Sequence, residues 1–436
     1  MTAWTLDAEA LIGRNLRVRR YRLPSGLRLL AAVDRAAPVI AYQTWFGVGS
    51  RHEQPGHTGM AHLFEHLMFN QTASLGPGEF DRVVERTGGE SNAATWVDWT
   101  YYRLSLPARD LALAVRLESE RMTKLVLEPG PVEAERDVVT NERRERVEDD
   151  VDGWIDERMM ALAFQAHPYR WPTIGWMEDI RALPLEAIRA FYRTWYAPNN
   201  ATLVVVGDFD EAQLLELVAA HYGEVPAAPL PDATPPDEPA QTSERRERAP
   251  KSIATDRLLA GYKVPGQAHP AWAALEIAAT LLAGGPSSRL YRTLVVEHEL
   301  VSSIDVQLTP FRGPAVLRIG ATCARGHHAD EVLAAIDAAL AELGATPPSA
   351  AELGKAHSLA ETDFWTGLVD VDGKAEALGH HETTLGDFRS VATLAERLAA
   401  VTAEEVSAAV RTYLDTSQRS LIIVEPDGTG DDTEPA

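Results

Sequence analysis

Between Val225 and Pro250 the composition of the chain changes abruptly, and that break limits what the rest can fold into. The segment reads VPAAPLPDATPPDEPAQTSERRERAP, with seven prolines and few large apolar residues. Proline fixes φ and removes a backbone donor, so such a stretch neither continues a helix nor fills a central strand. It is expected to be an extended linker with no core of its own. It divides the 436 residues into parts of about 225 and 185, which suits a chain too long for one ordinary domain. The expected organisation is a half over 1–225, the linker over 226–250, a second half over 251–424 and a disordered acidic tail over 425–436 (EPDGTGDDTEPA).

Both halves alternate short apolar runs with helical periodicity, which predicts an α+β fold. In the first, 17–33 reads as a hairpin turning at Ser25-Gly26, followed by a strand at 40–48 and a helix containing His62 and His66. A helix at 78–87, strands at 91–96 and 100–107 and a helix at 108–125 come next. Pro131 suits the first turn of a long helix that includes Glu135 and Glu142. A strand at 201–207 and a helix at 211–222 complete the half. The second half offers a strand at 256–264, a helix at 270–282, and strands at 302–309 and 315–322. Helices at 329–343, 349–366, 385–399 and 406–413 and a strand at 419–424 follow. The matched order suggests a duplicated architecture.

Composition excludes several classes of function. The chain is 45% hydrophobic and 24% charged, and 41 basic against 64 acidic side chains give −23. Nucleic acid and anionic membranes are recognised by clustered Lys and Arg, so neither is expected as a partner. Cys323 is the only cysteine, which rules out an intrachain disulfide and a CxxC metal site. No run of eighteen apolar residues exists to span a membrane. The first twenty residues lack an apolar core of signal-peptide length, which reads as cytoplasmic. A periplasmic protein already stripped of its leader would read the same way.

The chemistry concentrates at His62-Leu63-Phe64-Glu65-His66. Side chains four apart on a helix are neighbours, about 5–6 Å between Cβ atoms, so His62 and His66 can share one metal ion. Glu65, three residues after His62, lies on the same side, where it can act as general base. The pattern is HxxEH, the inverzincin signature. Glu142 is a candidate third ligand 76 positions after His66, giving the His2Glu set of a hydrolytic zinc site with one open position. Glu135, seven residues before Glu142, falls two turns away on the same helical face and suits a supporting role behind the ligands. His52, Glu53 and His57 resemble HExxH, but the second histidine comes one residue late and Pro55-Gly56 breaks the helix. The adjacent pairs His327-His328 and His380-His381 cannot face one ligand from a helix and are expected on the surface. Glu145 and Glu148 alternate with Arg143, Arg144 and Arg146, which reads as a charged exposed face.

A five-residue pattern arises by chance, and its surroundings lift it above that. The run VGSRHEQPGHTGMAHLFEHLMFNQT (48–72) resembles the pitrilysin family of zinc peptidases over its full length. GGESNAATWVDWTYY (88–102), ERDVVTNE (135–142), HPYRWPTIG (167–175), FYRTWYAPNNATLVVVGDF (191–209) and GGPSSRLYRTLV (284–295) are similar to the same family in the same order. The resemblance implies two homologous α/β halves, each an internally repeated sandwich, forming half of a clamshell around a peptide. It implies one Zn2+ per chain, with His62, His66 and Glu142 as metal ligands, Glu65 as general base and Glu135 behind the ligands. Asn92 and Ala93 fall on the edge strand that pairs with extended substrate by β-augmentation.

One departure qualifies the match. In active relatives an arginine and, seven residues later, a tyrosine hold the substrate and polarise the scissile carbonyl. Counted from Ser287-Ser288-Arg289-Leu290, those places hold Val295 and Ser302; a shifted register would put Arg292 or Tyr291 there instead. In several bacterial relatives of this length the clamshell is built from two chains, one with the zinc motif and one with the arginine and tyrosine. The resemblance therefore implies a zinc endopeptidase for peptides or unfolded segments, acting as the catalytic subunit of a heterodimer, with a homodimer as the lesser possibility. A non-catalytic scaffold of the same fold is the alternative, although scaffolds of that kind usually lose metal ligands.

Overall fold

The computed structural model describes residues 4–428. Its strands are β1 (Thr5–Ile12), β2 (Leu16–Arg22), β3 (Arg28–Val33), β4 (Val39–Phe46), β5 (Glu90–Thr95), β6 (Thr100–Pro107), β7 (Ala201–Gly207), β8 (Arg245–Lys251), β9 (Arg257–Val264), β10 (Val301–Leu308), β11 (Ala315–Cys323) and β12 (Arg419–Pro426). In the first half of the sequence the helices are α1 (Met60–Leu67), α2 (Glu79–Thr87), α3 (Leu111–Lys124), α4 (Pro129–Arg143), α5 (Val151–Ala163), α6 (Met177–Ala182), α7 (Leu185–Trp195) and α8 (Glu211–Tyr222). The second half adds α9 (Trp272–Ala283), α10 (Ala329–Ala345), α11 (Ala350–Gly367), α12 (Val371–His380), α13 (Ser390–Ala399) and α14 (Ala403–Tyr413). The fold is α+β, with two sheets. Strands β1 and β8 and helices α5, α6, α7 and α12 are additional to the expected elements, and α4 begins at Pro129 rather than Pro131. Among the described residues no helix is long and apolar enough to cross a membrane.

Strand composition sets position within each sheet. The first runs β1-β2-β3-β7-β4-β6-β5, the second β10-β11-β9-β12-β8. β7 (ATLVVVG) is buried along its whole length and lies between β3 and β4, as a strand apolar on both faces must. β12 (RSLIIVEP), buried over its first six residues, lies between β9 and β8. The small, polar β5 (ESNAAT) and β10 (VSSIDVQL) take the edges. The duplication is explicit in the pairing. β5-β6-β4-β7 are antiparallel neighbours and β7 pairs with β3 in parallel; β10-β11-β9-β12 and β8 repeat that pattern in the same chain order.

By internal contact the chain forms two compact units that are discontinuous in sequence. One comprises the chain to Arg144 with Trp171–Pro235 and Trp365–Thr393, the other Glu145–Arg170, Pro236–Phe364 and the chain from Leu394 on. This partition differs from a division at the Pro-rich segment: each unit takes a helix from the opposite half of the sequence. α12 packs on β4 and β7, and α5 packs on β8, β9 and β12. The cause is burial. One face of the first sheet carries Leu29, Tyr42, Phe46, Tyr102, Leu104, Leu203 and Val205 into a core shared with Leu63, Phe64 and Leu117. The other face also presents apolar side chains, and α12 covers them. In the second unit Ile155 and Met159 of α5 pack with Leu259, Ile422 and Val424.

The linker needs the same correction. Residues 245–250 pair with β12 in parallel, from Ser420↔Arg245 to Glu425↔Pro250. The apolar β12 needs a partner on that side, and an edge position tolerates Pro250. Upstream, the Glu238 carboxylate accepts the backbone N–H groups of Gln165, Ala166 and His167 at 2.9–3.0 Å, so this stretch is docked. Glu425 and Pro426, placed in the tail by sequence, end β12; residues 429–436 lie outside the described residues.

His380 and His381 are packed rather than on the surface. His380 ends α12 and His381 follows it: His381 is buried and bonds Ser390 at 2.7 Å, and burial pushes the His380 imidazole down to about 4. Beside them Gly379 meets Trp45 so closely that a Cβ there would lie 2.1 Å from the indole nitrogen. Trp45 cannot retreat, being buried, stacked on Tyr101 at 4.2 Å and bonded to Gln43 at 2.9 Å. Gly379→Ala is expected to destabilise the chain by about 1–3 kcal/mol through overpacking. A thermal melt checks it, and an unchanged midpoint would show that α12 does not sit against Trp45 as described.

Candidate metal centre

Helix α1 is short, and its two faces have different duties. Met60, Leu63, Phe64 and Leu67, at the i, i+3, i+4, i+7 spacing of one stripe, are buried in the core. His62, Glu65 and His66 lie off that stripe; His62 is buried and the other two are half-buried. A lone eight-residue helix would not hold its shape in water, and the surroundings fix it at several points. Gly59 enters the helix with φ +86°. The Glu53 carboxylate accepts the N–H groups of Gly59 at 2.9 Å and Ala61 at 2.8 Å, capping the N-terminus from outside the helix. At the other end the Tyr102 hydroxyl donates to the Phe64 carbonyl at 2.9 Å.

α4 supplies the acidic wall. Val132, Val139, Thr140 and Arg143 are its buried residues, and Glu135 and Glu142 are half-buried. Arg143, expected on an exposed charged face, is buried; it donates to the Gly175 carbonyl at 2.7 Å and lies 5.7 Å from the Trp176 ring. That bond ties the end of α4 to the loop that packs on the start of α1. A Cβ on Gly175 would sit 2.4 Å from the Gly59 Cα, so only glycine permits the approach. Thr58 completes the junction, donating to Asp179 at 2.7 Å and accepting the Trp176 N–H at 2.9 Å.

These constraints bring the expected residues together. The His62 and His66 rings are 5.0 Å apart. Glu142 Oε2 lies 3.7 Å from His62 Nε2 and 3.2 Å from His66 Nε2. One donor atom from each of the three falls within 4.8 Å of the others. Two imidazole nitrogens and a carboxylate oxygen converging in this way fit zinc, and the triad is the one such cluster among the described residues. Glu135 stands behind His66, with Oε2 3.7 Å from Nδ1, and its Oε1 accepts from Asn70 at 3.1 Å. Burial opposes protonation of His66, but the carboxylates of Glu142, Glu65 and Glu135 outweigh it and hold its pKa above the ordinary value. A metal therefore competes with a proton here.

The edge strand lies beside the centre, because α1 packs on β5 and β6. Ala93 turns toward the core, Asn92 is exposed, and the Asn92 side-chain oxygen accepts the Ala93 N–H at 2.9 Å. β5 pairs only with β6, so its outer edge has no strand partner among the described residues. In the second unit Val295 lies in the π-turn Tyr291–Glu297. Ser302 is exposed on β10, its hydroxyl donating to the Thr322 carbonyl at 3.3 Å. Arg292 is exposed and pairs with Glu297 at 3.2 Å.

Sequence reasoning about histidines passed over Glu53, the carboxylate that fixes α1. Burial pushes its carboxyl well up, while the N–H groups of Ala61, Gly59 and Met60 pull it back. Its only sequence signal is an acid a few residues ahead of a helix with a glycine cap. Glu53→Ala is expected to cost about 1–2 kcal/mol of stability and ~10–100-fold in zinc affinity. Glu53→Gln, which keeps an acceptor, should recover most of both. Competition with a chromophoric chelator reads the affinity, and wild-type affinity in the alanine variant would remove Glu53 from this role.

Two family models match the chain: "Insulinase (Peptidase family M16)" over residues 29–175 and "Peptidase M16 inactive domain" over 182–359. The zinc protease PqqE of Helicobacter pylori is 35% identical over 287 residues, 64% of this chain and 64% of that protein's length. The beta subunit of the mitochondrial-processing peptidase of Blastocladiella emersonii is 25% identical over 413 residues, covering 93% of this chain and 88% of its own. The crystal structure of a protease from Helicobacter pylori superposes with a TM-score of 0.89 at 28% identity, over 95% of this chain and 100% of that one. The chain belongs to the pitrilysin (M16) family of peptidases.

Proposed function

We propose that the chain is the zinc-bearing catalytic subunit of an endopeptidase that cuts peptides and unfolded segments. The observation that carries this reading is the convergence of His62, His66 and Glu142 on one point. When bound there, zinc supplies a Lewis acid that lowers the pKa of water from ~15.7 to ~7. His62, His66 and Glu142 hold the ion, one per chain, and Glu135 orients His66 from behind. Glu65, on the same turn as His66, takes the proton of the attacking water and hands it to the leaving amine. β5 offers main-chain groups to an extended peptide, with Asn92 and Ala93 nearest the pairing edge. Such docking favours unstructured chains over folded proteins. A scaffold subunit would have no use for an intact ligand set with a supporting Glu135.

The chain is expected to bind one zinc and, in the assembled enzyme, to lose ~10²–10⁴-fold in turnover as Glu65→Gln while keeping its metal. Metal analysis beside a peptide-cleavage assay tests this. Absence of zinc binding, or a variant as fast as wild type, would sink the reading.

The catalytic partner follows from the second unit. Val295 has no donor, and the short Ser302 hydroxyl is already turned to its own sheet. One missing donor to the developing oxyanion typically costs ~10²–10³ in rate, so the chain alone should be nearly inactive. A homologous chain bearing the arginine and tyrosine would complete the site as a heterodimer; a homodimer is the lesser arrangement. The named relative that is a peptidase subunit supports a two-chain enzyme. Activity of the purified chain with and without such a homologue decides it. Full activity alone, indifferent to substitution of Val295 or Ser302, would refute the division of labour.

A further inference from the structure

The duplication allows the two units to be compared position by position, and one junction has diverged in a telling way. α1 and α9 each follow the corresponding strand, β4 or β9, and α7 and α14 are the last helices before β7 and β12. Each pair packs together within its unit. In the first unit rings fill the junction: Phe64 stacks on Phe191 and Tyr192, both at 5.8 Å between centroids, and lies 4.9 Å from Tyr196. In the second, Ala273 and Ala274 of α9 stand in one wall, Ala408 and Ala409 of α14 in another. An open cavity of about 530 Å³ lies against these alanines, inside the ~300–1,000 Å³ range of small-molecule sites.

Two charged side chains stand in its wall, Arg397 in the last turn of α13 and Glu405 in the first turn of α14. The end of a helix suits a cation, yet half-buried Arg397 has no ion-pair or hydrogen-bond partner among the described residues. Glu405 commits Oε2 to the Thr402 N–H at 2.8 Å and hydroxyl at 3.1 Å, which leaves Oε1 for another donor. The wall thus offers one cation, one anion and an apolar floor.

We propose that this cavity binds a short apolar peptide with free termini, its α-carboxylate on Arg397, its α-ammonium on Glu405 and its side chains against the alanines. Charge complementarity selects this class. A cationic amphiphile would set its charge against half-buried Arg397, and a fatty carboxylate would engage Arg397 but make no use of the open Oε1 of exposed Glu405. The site lies within the second unit and does not depend on the peptidase reading of the first.

Calorimetric titration of the full chain with leucyl-leucine tests the proposal, with N-acetyl-leucyl-leucinamide and diglycine as comparison probes. The first comparison probe lacks both charges and the second lacks the apolar side chains. Saturable one-site binding of leucyl-leucine is expected, unchanged after chelator treatment and about tenfold or more weaker for either comparison probe. Arg397→Ala should weaken it by a similar factor. So should Glu405→Gln, which keeps the helix cap because glutamine serves the same box. Ala408→Leu, which fills the cavity from a half-buried position, should abolish binding and stands in if the arginine variant fails to fold. The proposal is overturned by absence of saturable binding, by equal affinity for the uncharged probe, or by wild-type affinity in Ala408→Leu. Binding that disappears with chelator would overturn it too, because the peptide would then sit on His62, His66 and Glu142.

Discussion

A strand that is apolar on both faces must be covered on both, and most of this architecture follows from that demand. β7 and β12 are two such strands, each lying between two others in its sheet. One face of the first sheet is met by α1, α3, α7 and α8, whose stripes complete the larger core. The other face needs a separate helix, and the chain supplies it from the opposite half of the sequence. Close packing then fixes where that helix can sit. Gly379 admits the edge of Trp45, the Ser105 hydroxyl donates to Asp372 at 2.7 Å, and buried Glu382 accepts from Arg20 at 2.9 Å and Arg28 at 3.3 Å. A buried ion pair of this kind adds little net stability, but removing one partner strands a charge, so it selects one docking over others.

The metal centre depends on that framework at one remove. Its five acidic and imidazole groups come from two helices, and neither helix fixes itself. α1 is held by a carboxylate from the preceding loop, a hydroxyl from β6 and a glycine contact with the loop before α6. α4 is held by Arg143 on that same loop and by Arg136, which donates to the carbonyls of Arg181 and Leu183. The loop around Gly175 is therefore the point through which the histidines and the glutamates share one frame. Displacing it would move both ligand helices, which gives the HPYRWPTIG segment a structural role that its residues do not announce individually.

What was legible in the sequence divides along the range of the interactions. Strand and helix limits in the repeats lie close to the expected ones, since alternation and the 3.6-residue period are local signals; β7 and α8 coincide with them. The cluster of His62, His66 and Glu142 was legible because HxxEH is a spacing within one helix and Glu135–Glu142 a spacing within another. The exchange of α5 and α12 was not, because nothing local in VDGWIDERMMALA or VDGKAEALGH says which sheet it will cover. His380 and His381 were misplaced for the same reason: an adjacent histidine pair looks solvated until the segment around it is packed. β8 was hidden by its composition, since RRERAPK has neither alternation nor β-branched residues, and only the unsatisfied edge of β12 makes it a strand.

The same duplication that makes the units alike shows how unequal their duties have become. A metal site requires ligand atoms held within about 0.5 Å of their working positions, and the first unit meets that with rings wedged between α1 and α7. α9 carries no histidine and no such requirement, and its Ala273 and Ala274 stand in the wall of a cavity. Leu275, Ile277, Leu281 and Leu282 bury the inward face of α9. The second unit thus keeps its sheet covered while its α9–α14 junction carries a cavity with one arginine and one glutamate in the wall.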